Sequence, residues 1–175
     1  RLNAAGRLDD MSLGIECLLS SDSSHAKSLS IQLDKLNRER RNLQEEMTAT
    51  AEGSLQKLEI DSGEPATSGI VIYDNSLHEG IIGIVAGRLK EKFHQPTFVF
   101  ADSGTNSLKG SGRSIPGVHI RDVLELIASR NDGLITKFGG HAMAAGLTLY
   151  KKDLDKFRES FLVTVEEFTK TSVTE

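Results

Sequence analysis

A chain of 175 residues, 38% hydrophobic and 26% charged, has the composition of a folded globular domain with some added structure, which excludes a disordered polymer. The formal net charge of −4 excludes the general basic surplus of an indiscriminate nucleic-acid binder, while leaving room for a local basic groove. No apolar run is long enough to span a bilayer, no signal-peptide pattern opens the chain, and the single cysteine, Cys17, excludes an intrachain disulfide.

The expected compartment is the cytoplasm, with no membrane partner. Cys17 sits in the apolar run IECLL and reads as a buried, inert thiol. Aromatic residues are 5% with no Trp, so a bound single strand would be held mainly through its backbone. The chain begins at Arg1 without an initiator Met, and RLNAAGRLDD reads as the inside of a motif. A fragment of a longer protein is therefore expected.

In chain order, Met11–Leu19 shows a short helical pattern, and Ser23 or Ser24 is placed to cap a second helix. Apolar residues then recur at Leu29, Leu33, Leu36, Leu43, Met47, Leu55 and Leu58, one face of a long amphipathic helix. Its spacing lapses around Arg40, which weakens a coiled-coil reading. About 30 residues of helix would reach about 45 Å, more than a small domain covers, so a bridge between domains is expected. DSGEPATS (Asp61–Ser68) reads as a linker. Beyond it the period changes: strand at Gly69–Tyr73, helix over Glu79–Phe93 stopped by Pro96, strand at Thr97–Ala101, strand at Leu108–Ser114. A helix over Arg121–Ser129, a strand at Ala145–Tyr150 and a closing helix over Leu154–Phe168 complete the chain. The fold class is α/β, a mixed sheet with flanking helices, preceded by the long helix.

Two glycine-rich stretches carry the chemistry. LKGSGRSIPG (Leu108–Gly117) places Ser111 and Arg113 two residues apart among Gly110 and Gly112, and KFGGHAMAAG (Lys137–Gly146) places His141 directly after Gly139 and Gly140. Small residues interleaved with a hydroxyl, a guanidinium and an imidazole suit an oxyanion: backbone N–H groups come close, and the fork of Arg binds phosphate bidentately. The same glycines also suit a tight turn, a bulge or a strand bend. His78 and Glu79 lie between a strand and a helix, where ligands of open α/β sheets bind; His78 either contacts a phosphate or helps a reaction, or else caps the helix or closes the turn. Metal-assisted phosphodiester hydrolysis needs several convergent carboxylates. The pairs Asp9-Asp10, His78-Glu79, Arg121-Asp122 and Glu166-Glu167 lack companions at ligand spacing, so no metal site is expected within the chain.

RLNAAGR (Arg1–Arg7), LNRERR (Leu36–Arg41), HEGIIGIVAGRLKE (His78–Glu91), GSGRSIPG and GGHAMAAG together resemble the RecJ family, single-strand-specific DNA exonucleases of the DHH phosphoesterase superfamily. The resemblance implies that residues 1–22 are the tail of a catalytic DHH domain whose Mn²⁺ or Mg²⁺ ligands precede Arg1. It implies that 23–60 is a connector helix and 69–170 a DHH-associated substrate-binding domain. The parent would degrade single-stranded DNA from the 5′ end in repair and recombination; within it this part would bind the strand and its 5′ phosphate, and the piece alone would be inactive. Ser111 and Arg113, with Gly112, would grip the 5′-terminal phosphate. Arg40 would face the DNA, and Gly140 and His141 would line the substrate path. His141 and His78 would border the active site. Alternatives are a nanoRNA or cyclic-dinucleotide phosphodiesterase of the same superfamily, a non-catalytic nucleic-acid-binding module, and a mononucleotide-binding domain.

Overall fold

The structure is a computed structural model that describes residue 6 and residues 11–62 and 68–172. The chain forms two compact units, Arg1–Glu46 and Met47–Glu175. The RLNAAGR run apart from Gly6, the Asp9-Asp10 pair and the middle of the expected linker, 63–67, lie outside the described residues.

Helix α1 spans Ser12–Leu19 and helix α2 spans Ser23–Ser62. The cap of α2 is Asp22, whose Oδ1 accepts from the Ser24 N–H at 2.8 Å, in place of the expected Ser23 or Ser24. Cys17 is half-buried, its Sγ 3.7 Å from the Ala26 carbonyl, and so is less enclosed than its apolar neighbours suggested. Along α2 the buried positions are Leu29, Leu33, Gln44, Met47, Ala51 and Leu55. The apparent lapse in spacing is a polar stretch of one continuous face: Arg40 Nη1 donates to Gln44 Oε1, one turn on, at 3.1 Å.

From Met47 onward the chain builds the second unit. Its elements are β1 (Ile70–Tyr73), α3 (Ile82–Phe93), β2 (Thr97–Asp102), β3 (Ser107–Arg113), α4 (Ile120–Arg130), β4 (Lys137–Gly140), β5 (Ala144–Tyr150), a 3-10 turn (Lys151–Asp153) and α5 (Leu154–Ser172). The sheet runs β1-β2-β3-β5-β4. β1 and β2 are parallel and joined through α3; the remaining pairs are antiparallel, giving the mixed α/β sheet the sequence implied. The unforeseen element is β4. KFGG has little intrinsic strand preference, and it becomes a strand by pairing with β5, Lys137 opposite Thr148 and Gly140 opposite Ala145.

One face of the sheet carries the main core under α4 and α5. Phe98, Phe100, Phe157 and Phe161 are fully buried, with Phe98 edge-on to Phe161 at 5.2 Å between centroids. Gly110 and Gly112 belong to this face. A Cβ on Gly112 would lie 2.5 Å from Phe98 Cζ and 2.7 Å from Ile120 Cδ1, and one on Gly110 would collide with the Phe100 ring. On the opposite face, Ile82, Val85, Ala86 and Leu89 of α3 are buried, as are Ile70, Ile72, Val99 and Ala101 of β1 and β2. The end of α2 joins α3 through Glu52–Lys92 at 2.8 Å.

Candidate functional site

Alternation along β3 sets Lys109, Ser111 and Arg113 on the α3 side of the sheet, and Leu108, Gly110 and Gly112 on the phenylalanine side. Ser111 and Arg113 meet: Arg113 Nη1 donates to Ser111 Oγ at 3.2 Å and to the Gly112 carbonyl at 2.7 Å. Both are half-buried, and the pair is braced by its own strand. The expected free N–H donors of Gly110 and Gly112 are not the basis of the site. β3 lies between β2 and β5, which engages its peptide groups in two ladders, and Gly112 is required by ring packing.

The residue that sequence reasoning missed is Gly83, in the first turn of α3. A Cβ there would stand 2.9 Å from both Arg113 Nη2 and Ser111 Oγ. The helix start therefore lies directly against the pair. No side chain caps that start, and its partial positive charge adds to that of Arg113. A guanidinium, a hydroxyl and a helix start are thereby brought together, groups of the kind that attract an oxyanion. The signal was available: a glycine inside a helical pattern costs about 1 kcal/mol relative to alanine and asks for a reason.

The glycine-histidine stretch reaches the same end of the sheet. Ala144 pairs with Arg113 across β5 and β3, and its carbonyl accepts from the His141 N–H at 2.9 Å. Gly140 has φ +150°, and a Cβ on it would lie 2.5 Å from the Ala144 oxygen and the Ala145 Cα. Only glycine fits there without strain, and the turn it begins leaves the His141 side chain exposed. Gly139 and Gly146 are cross-strand partners, both exposed. A Cβ on Gly139 meets nothing within 4 Å, so the protein's own packing gives no reason for that glycine.

His78 sits beyond the end of β1, as expected, and closes the local turn by accepting from the Gly80 N–H at Nδ1, 3.1 Å. In the same loop the Ser76 hydroxyl, first, and then the Ser76 N–H hold the Asp74 carboxyl below its ordinary value. Glu79 pairs with Lys109 at 3.4 Å. Arg40 is in the first unit, half-buried and bonded to Gln44. Among the described residues no group of three or more His, Cys, Asp or Glu side chains could hold a metal ion. The carboxylates Glu79 and Asp102 are each engaged by a lysine. No described helix is long and apolar enough to cross a membrane.

Residues 66–169 match the DHHA1 domain family. The chain belongs to that family. This DHHA1 chain is 47% identical over 172 residues to the single-stranded-DNA-specific exonuclease RecJ of Dickeya dadantii (strain 3937), across 98% of the chain and 30% of the relative. Crystal structures of RecJ from Thermus thermophilus, one in complex with Mg²⁺ and one with Mn²⁺, match it with TM-scores of 0.79 and 0.78. Identities are 28% and 30%, each over 95% of this chain and 24% and 23% of those chains. The DHHA1 chain thus resembles part of RecJ and spans 30% of the length of the Dickeya dadantii relative.

Proposed function

We propose that this chain is part of a metal-dependent 5′→3′ exonuclease specific for single-stranded DNA, acting in repair and recombination in the cytoplasm. In this reading residues 1–22 end a catalytic domain that supplies the Mn²⁺ or Mg²⁺ ligands, 23–60 connect it, and 69–170 bind substrate. The observation that carries the reading is Arg113 and Ser111 clasped against the first turn of α3, in a chain similar to RecJ along nearly its whole length.

A terminal phosphate monoester carries more charge than an internal diester. Arg113 binds it through a charge-assisted fork, Ser111 offers a hydroxyl, and the helix start adds its positive end. Gly140 and His141 line the strand's path beside this end, and Arg40 supplies a further DNA contact from α2. Fixing the 5′ end fixes which phosphodiester bond is presented for hydrolysis, a positioning contribution that requires no reacting group within this chain.

The test is initial rate against concentration for 5′-phosphorylated and 5′-hydroxyl oligonucleotides, using the full-length protein and its Arg113→Ala variant. A charge-assisted contact contributes about 1.5–3 kcal/mol, so use of phosphorylated ends should fall roughly ten- to a hundredfold, and use of hydroxyl ends by less. Arg113→Lys should rescue poorly, lacking the planar fork. Equal losses on both ends would overturn the assignment of Arg113 to the terminus.

A further inference from the structure

The face that presents Ser111 and Arg113 continues along β5 away from that pair. Ala144, Gly146, Thr148 and Tyr150 alternate onto it, opposite Arg113, Ser111, Lys109 and Ser107 of β3 in turn. Thr148 is flanked on both sides by lysines, Lys109 on β3 and Lys137 on β4, about 10 Å apart at two strand spacings. Both are exposed. Lys109 shares the Glu79 carboxylate, whereas Lys137 has no ion pair with a described carboxylate.

At the far end Tyr150 is 47% exposed, with Lys152 Nζ 5.9 Å from its ring centroid. With Asn106, Lys151 and Lys152 it borders a recess of about 430 Å³. Lys151 is committed to Asp102 at 3.2 Å and lies over the Tyr73 ring. Lys152 has no carboxylate partner among the described residues. A chain of net charge −4 thus gathers lysines and one exposed aromatic ring on a strip next to the Ser111 row, where Gly139 and Gly146 carry no side chains.

We infer that Lys109, Lys137, Lys152 and Tyr150 form a second contact for single-stranded DNA, the lysines meeting backbone phosphates and the Tyr150 ring one unpaired base. The inference rests on the reading that Ser111 and Arg113 hold the 5′ end. Cations tracking a backbone beside an aromatic ring are the chemistry of single-strand binding without sequence preference, and a base within a duplex could not lay its face on the ring. From the Ser111 row to the Tyr150 row is four residues of strand, roughly 14 Å, or about four nucleotides at stacked spacing. The contact therefore serves only strands longer than that.

The experiment measures affinity by fluorescence anisotropy with divalent metal chelated, using the full-length protein, its Lys137→Glu variant and its Lys137→Glu/Tyr150→Ala variant. The probes are 5′-phosphorylated and 5′-hydroxyl oligonucleotides of three and twelve nucleotides. The double variant should bind the twelve-mers about tenfold more weakly, with a plot of log affinity against log salt shallower by about 0.7 for the lost lysine. Three-mer affinity and the preference for a 5′ phosphate should not change. Lys137→Glu alone, at an exposed position without an ion-pair partner among the described residues, should weaken the twelve-mer in the same direction and guards against a folding defect at Tyr150. Unchanged twelve-mer affinity, or equal loss on both lengths, overturns this inference while the wild-type phosphate preference stands. Wild-type protein that binds neither length, or ignores the phosphate, overturns the 5′-end reading and this inference together.

Discussion

At the scale of one residue, Gly83 is where the proposed function and stability can be tested apart. Its hydrogen faces Arg113 Nη2 and Ser111 Oγ where a Cβ would come within 2.9 Å of each. The arginine head is the far end of a flexible side chain and can swing aside, and the Ser111 hydroxyl must turn away as well, so a methyl group there disturbs the Arg113–Ser111 pair without breaking the core. Alanine also favours helix over glycine by about 1 kcal/mol. Gly83→Ala should therefore melt no lower than wild type while losing preference for 5′-phosphorylated over 5′-hydroxyl ends. Thermal melts and paired initial rates on the two end types check this. A lowered melting temperature with end preference intact would mean that Gly83 is only a packing residue. The residue was visible in HEGIIGIVAGRLKE, but its neighbours were not: nothing in sequence spacing sets position 83 against positions 111 and 113.

At the scale of elements, β3 shows how one strand serves two demands. Its odd positions carry the site and its even positions, Gly110 and Gly112, admit the phenylalanine rings of β2. The glycines of GSGR thus bring the Arg113 strand close to its hydrophobic neighbours, and this differs from the expected exposure of their N–H groups to phosphate. Gly112→Ala should cost about 1–3 kcal/mol by overpacking against Phe98 and Ile120, seen as a lower denaturation midpoint with an unchanged slope. A variant as stable as wild type would return Gly112 to the phosphate-facing role. The long helix was legible because its apolar residues repeat at the helical period, and even its gap at Arg40 has a place on the same face, bonded to Gln44. The β4 strand was not legible. A Lys-Phe-Gly-Gly run acquires strand geometry only from β5, with which it pairs over four residues.

For the whole molecule, the charge and metal chemistry give a plain expectation for the chain by itself. With no described cluster able to hold a metal ion, the 175-residue chain incubated with labelled single-stranded DNA and Mn²⁺ should leave the substrate intact. Cleavage that copurifies with the chain and requires metal would overturn the placement of the hydrolytic centre elsewhere in the protein. The sequence by itself determined the α/β class, most of the elements and the pairing of Ser111 with Arg113, because periodicity and strand alternation are local properties of the chain. Tertiary structure alone decided which glycines face rings and which face the site, that the start of α3 lies against Arg113, and that Lys109 and Lys137 flank one β5 residue. Those relations join positions that are not neighbours in the chain, and they are set by the sheet order β1-β2-β3-β5-β4 and by packing across its two faces, which no local pattern encodes.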